Sequence, residues 1–75
     1  MDYKDHIVSD SKIMLGKPLI KGTRITVELI LKKLSEGETV AGLIEAYPAL
    51  TPASVAAALA YASDVIANET LIPAA

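Results

Sequence analysis

The segment "TPASVAAALAYASDVIAN", residues 51 to 68, limits the possible folds more than any other part of the chain. Thr51 is a good helix N-cap, and Pro52 suits the first helical position, where a missing N–H costs nothing. The pattern predicts a helix from Pro52 to about Asn68, with Val55, Leu59, Ala62 and Ile66 forming one stripe. Ala56, Ala57, Ala60, Tyr61 and Val65 leave the other side nearly as apolar. A helix that is apolar most of the way round needs cover on two sides.

The rest of the chain is too short to supply that cover easily. At 75 residues it is one small domain without cysteine, and a chain of this size buries only about 60% of the surface exposed on unfolding. Disulfides and thiolate metal sites are excluded, so association is the remaining common route to stability. The second face of the third helix, formed by Ala56, Ala57, Ala60, Tyr61 and Val65, is therefore expected to be the interface of a homodimer. The segment is shorter than the roughly 20 residues of a membrane span and is interrupted by Asp64. The N-terminus has no apolar run that would make it a signal peptide. A cytoplasmic protein without a membrane partner is expected.

Two shorter helices precede the long one. Val27, Ile30, Leu31 and Leu34 fall at helical spacing, with Thr26 as cap, Glu28 in the first turn and Gly37 as terminator. Val40, Leu43, Ile44 and Tyr47 repeat the spacing after Thr39, and Pro48 ends that helix. "PALT" then forms a short turn between the second and third helices, the geometry of a helix-turn-helix. The expected fold is mainly α: a short β-ribbon over residues 6–26, three helices over residues 27–68, and a C-terminal tail over residues 69–75.

The net charge of −2 conceals a split. All seven cations lie in residues 1–33 against four carboxylates, leaving +3, whereas residues 34–75 hold five carboxylates and no cation. Three of the cations crowd "LGKPLIKGTR", residues 15 to 24. A phosphate-binding P-loop is excluded by spacing, because no Lys follows the second Gly, and Pro18 removes a donor. A hairpin fits better. With Gly22-Thr23 as a two-residue type II′ turn, Ile20 faces Ile25, Leu19 faces Thr26, and Lys21 stands opposite Arg24. Two cations so placed repel each other, and either a phosphate or a nearby carboxylate such as Asp10 or Glu28 would relieve them.

At this point the chain resembles a known family. "MLGKPLIKGTRITVELIL" and "YPALTPASVAAALAYA" are similar to the GGKP-I-x-GTRI-x-V and Y/F-P-x-L-T…A-L-A-Y-A segments of the small prokaryotic domain-of-unknown-function family four hundred thirty-three, covering about residues 7 to 63. The resemblance implies a VapB-type antitoxin with a homeodomain-like helix-turn-helix behind a β-ribbon. It further implies a dimer that neutralises a PIN-like ribonuclease toxin and binds DNA at its own promoter. Two positions depart from the family pattern. Leu15-Gly16 replaces a double glycine, and Ser54 stands where an acidic residue is common, so the reciprocal capping box at Thr51 is expected to be lost.

The front of the third helix, Pro52 to Ala57, offers only Ser54 to a base edge and has no cation for a phosphate. Contact with double-stranded DNA is therefore expected from Lys17, Lys21 and Arg24 on the ribbon, with Lys32 and Lys33 on the first helix. In "NETLIPAA", Glu69, Leu71 and Ile72 are candidates for gripping a toxin. The second reading is a dimeric protein–protein interaction module without DNA binding. No nucleophile–base pair, metal set or cofactor fingerprint is present, with His6 as the single histidine, so neither catalysis nor a small-molecule substrate is expected.

Overall fold

The computed structural model describes residues 2–69. A 3-10 turn at Tyr3–Asp5 leads into strand β1 (Ile7–Val8), and strand β2 (Leu19–Ile20) pairs with it antiparallel, Ile7 with Ile20 and Val8 with Leu19. Three helices follow: α1 (Val27–Ser35), α2 (Val40–Ala46) and α3 (Pro52–Ala67). The chain is mainly helical, behind a short two-stranded sheet, as expected.

Local chemistry explains each helix boundary. The hydroxyls of Thr26, Thr39 and Thr51 accept hydrogen bonds from the N–H groups of Leu29, Gly42 and Ser54, satisfying donors that the first turn leaves open. At the end of α1, Gly37 (φ +96°) donates to Leu34 and Glu38 donates to Lys33. These two bonds form a Schellman cap that only glycine enters without strain.

One departure concerns the start of α3. The Ser54 hydroxyl accepts from the Thr51 N–H at 2.8 Å while the Thr51 hydroxyl accepts from the Ser54 N–H at 3.1 Å. The capping box expected to be lost is therefore present, because a serine hydroxyl at the third helical position reaches back as well as a carboxylate would.

The core lies where the sheet, α1, α2 and α3 meet, around Ile20, Val27, Ile30, Leu43, Leu50, Val55 and Ala58. α3 faces it differently from the expected stripe. Ser54, Val55, Ala57 and Ala58 are buried, while Leu59 and Ile66 are 46% and 67% exposed. Small residues let α3 approach its neighbours closely, so the alanine side is the one that packs inward. Ala57, expected at a dimer interface, is instead fully buried within its own chain and offers no surface to a partner.

The hairpin also differs in detail. The expected partners hold: Leu19 bridges Thr26, and the Ile20 N–H donates to the Ile25 carbonyl at 2.9 Å. The turn, however, is closed by the Thr23 N–H on the Ile20 carbonyl, which places Gly22 (φ +81°) at its third position, as a type II turn requires. The Thr23 hydroxyl accepts from the Ile25 N–H and donates to the Ile20 carbonyl. The connection is thus four residues, Lys21 to Arg24, rather than a two-residue type II′ turn. Lys21 and Arg24 belong to the loop and do not oppose each other across a ladder.

Candidate functional site

The ribbon's cations separate into two groups. In the first, Lys17 Nζ lies 2.7 Å from Glu28 Oε1, bridging the segment before β2 to the first turn of α1. This hydrogen bond and the Lys17 charge, with Lys32 adding to the field, hold the Glu28 carboxyl below its ordinary range. Lys17 and Lys32 line one shallow depression with Met14, Thr26 and Glu28. A carboxylate thus meets one of the candidate phosphate contacts, and Lys17 is the cation that found it.

The second group is Lys21 and Arg24, both exposed in the four-residue loop. The Lys21 N–H donates to the His6 carbonyl at 2.7 Å, tying the loop to the chain just before β1. Among the described residues neither side chain has a carboxylate oxygen within 4.0 Å. Arg24 shares a depression with Asp10 but forms no ion pair with it. Lys33, expected on the wet face of α1, is only half-exposed.

The front of α3 carries no chemistry for reading bases. Ser54 is 4% exposed and committed to the capping box. Of the expected interface residues, Ala56 is exposed, Ala60 is half-buried and Val65 is 44% exposed. Tyr61 is half-buried against Tyr3, the rings meeting edge to face at 5.4 Å and 89°. Glu69 is exposed at the end of the described chain, whereas Leu71 and Ile72 lie outside the described residues.

A feature that residue spacing did not reveal lies between α1 and α3. Pro18, Val27, Leu31, Tyr61, Val65 and Ile66 line an apolar groove of about 380 Å³, with Glu28 on its wall. Val27 and Leu31 are legible as an apolar pair on α1, but the sequence does not show which α3 residues face them. Nearby, Met14, Leu15 and Gly16 form a turn with φ of +50°, +59° and +79°, and Leu15 is 93% exposed. The family's double glycine is the signal that could have flagged this backbone. Among the described residues no three histidine, aspartate or glutamate side chains converge as a metal site would need. None of the helices formed by the described residues is long and apolar enough to cross a membrane.

Over 24 residues the chain is 62% identical to an uncharacterized protein of Archaeoglobus fulgidus, a stretch covering 32% of this chain and 67% of that protein. No solved structure matches it. The family model described as "Protein of unknown function (DUF433)" matches residues 7–62, which span both strands, the cationic loop, α1, α2 and α3 as far as Ala62, and so include the groove lining except Val65 and Ile66. The chain therefore belongs to the DUF433 family.

Proposed function

We propose that this protein is an antitoxin that neutralises a PIN-like ribonuclease toxin and binds DNA at its own promoter through the loop of its β-ribbon. The observation that carries the DNA-binding half is the exposure of Lys21 and Arg24 without a carboxylate partner among the described residues. Two cations on a short, tethered loop suit the phosphate backbone, where charge neutralisation supplies affinity without base reading. The toxin-binding half is supported by the family resemblance.

The test is a gel-shift titration of the promoter fragment in rising salt. The wild-type chain should bind with steep salt dependence. The Lys21→Ala, Arg24→Ala double variant should bind more weakly on every sequence, with a salt slope smaller by about two for each chain bound. Full binding by that variant would overturn the role of the loop. Co-purification with the product of the neighbouring gene, with and without residues 69–75, tests toxin capture and the part of Glu69, Leu71 and Ile72 in it.

A second reading, a dimeric interaction module that leaves DNA alone, is favoured by one observation. Leu59, Val65 and Ile66 remain exposed on a helix whose half of the chain carries only negative charge. A chain that captures its protein partner but leaves the promoter fragment unshifted at low salt supports this reading over the first.

A further inference from the structure

We propose that two copies of this chain associate by seating each other's Leu15 in the groove between α1 and α3, about a two-fold axis close to Lys17 and Glu28. The proposal holds whether or not the particle binds DNA or a toxin.

Leu15 provides the first reason. A residue with a β-carbon is disfavoured in the left-handed region, and here Met14 and Leu15 both occupy it. Within one chain that conformation gains nothing for Leu15, which points its side chain into solvent at 93% exposure with Met14 beside it at 45%. Glycine would take the same backbone freely. A leucine held there is a preformed apolar knob.

The groove is the second. Val27, Leu31, Tyr61, Val65 and Ile66 offer an aliphatic and aromatic lining, and about 380 Å³ leaves room for more than one aliphatic side chain. Val65 and Ile66 remain largely exposed at its rim.

The third reason is placement, and it selects a second copy as the occupant. Glu28 forms a wall both of the groove and of the depression lined by Met14 and Lys17, so the turn that carries the knob and the groove flank Glu28 on one face. A two-fold interface requires a self-complementary patch, in which each copy offers what the other accepts. This face has that property twice. It carries a knob and a groove, and at their common border one cation and one anion. Lys17 and Glu28, already 2.7 Å apart within each chain, join the partner's pair across the axis in a cluster of two cations and two anions, Lys17 beside the partner's Glu28 and Glu28 beside the partner's Lys17. The interface takes Tyr61 and Val65 from the α3 face expected to dimerise but not Ala56, Ala57 or Ala60, and it leaves out the exposed Leu59.

Sedimentation equilibrium of the full chain tests the proposal. The wild-type chain should dimerise. Leu15→Gly and Ile66→Glu should each weaken the dimer at least about tenfold, as loss of a buried aliphatic side chain implies. Leu59→Glu should leave it unchanged. Leu15→Gly should also raise the unfolding temperature of the dissociated chain, an effect opposite in sign to its effect on association. Circular dichroism verifies that the Ile66→Glu chain remains folded. Lys17→Glu and Glu28→Lys chains should each dimerise poorly alone and pair when mixed, because only the mixture restores both cross-axis pairs. A wild-type chain that stays monomeric at its highest soluble concentration would overturn the proposal. So would a dimer broken by Leu59→Glu but not by Leu15→Gly or Ile66→Glu.

Discussion

Ser54 and Thr51 hold each other in place, the Ser54 hydroxyl 2.8 Å from the Thr51 nitrogen and the Thr51 hydroxyl 3.1 Å from the Ser54 nitrogen. The pair orients the start of α3 and occupies the one side chain on the helix front that could have addressed a base. Ser54 is nearly buried, so an unmet donor there would not be hydrated. Ser54→Ala and Thr51→Ala should each destabilise the chain by about 1 kcal/mol in urea unfolding. The double variant should cost less than the sum, since the two hydrogen bonds belong to one motif. Promoter binding should be unaffected by Ser54→Ala once the chain is folded.

Leu15 should be less stable than glycine at its own position. The left-handed backbone costs a side-chain-bearing residue about 1–2 kcal/mol, against about 0.5–1 kcal/mol of extra chain entropy for glycine. Leu15→Gly should therefore stabilise the isolated chain by up to about 1 kcal/mol, measured at a dilution where only monomer is present. Gly16 and Gly37 stand at φ of +79° and +96°, and alanine at either should shift stability the opposite way.

The Lys17–Glu28 pair makes a pH-dependent contribution whose direction follows from the depressed carboxyl pKa. A group whose folded-state pKa lies below its unfolded value stabilises the fold above the unfolded value, and this contribution is lost as pH falls through the folded one. For Glu28 that window lies below the ordinary value of 4.5. Because both side chains are largely exposed, at 48% and 70%, solvent screening keeps the contribution small. NMR titration of the monomer should find Glu28 ionising below 4.5 and returning toward it in Lys17→Met.

Tyr3 should ionise late. The Asp64 carboxylate beside it favours the protonated phenol, by hydrogen bonding to that form and by opposing a second negative charge, and so raises the phenol above its usual 10.0. Since the folded-state value is the higher, this contribution is complete below pH 10 and is lost as pH rises through the raised pKa. Ultraviolet titration should show a tyrosine ionising above 10.0. Asp64→Asn should bring it back, while Tyr3→Ala removes the signal and loosens the N-terminal turn from Tyr61.

The helices were legible because their boundaries rest on chemistry within four residues. Thr26, Thr39 and Thr51 cap, Pro52 starts, Gly37 stops, and none of these depends on what the helix later meets. The cross-strand partners of Leu19 and Ile20 within the hairpin were equally readable, since a short loop permits few registers. Lys21 and Arg24 were legible as exposed cations, although the turn between them lies one residue earlier than Gly22-Thr23 suggests.

Three features depended on contacts between distant residues. Periodicity could not say which side of α3 packs inward, since a helix apolar all round has no preferred face until its neighbours are in place. Close approach then decided for Ala57 and Ala58 and left Leu59 and Ile66 outside. Lys17 could be recognised as basic, but its carboxylate lies eleven residues away, reachable only once β2 turns back into α1. The apolar groove required α1 and α3 to be set side by side. Elements are written in short-range backbone and capping chemistry, which the sequence by itself determined. Faces, grooves and ion pairs arise from packing over long chain separations, and for this protein only the tertiary structure decided them.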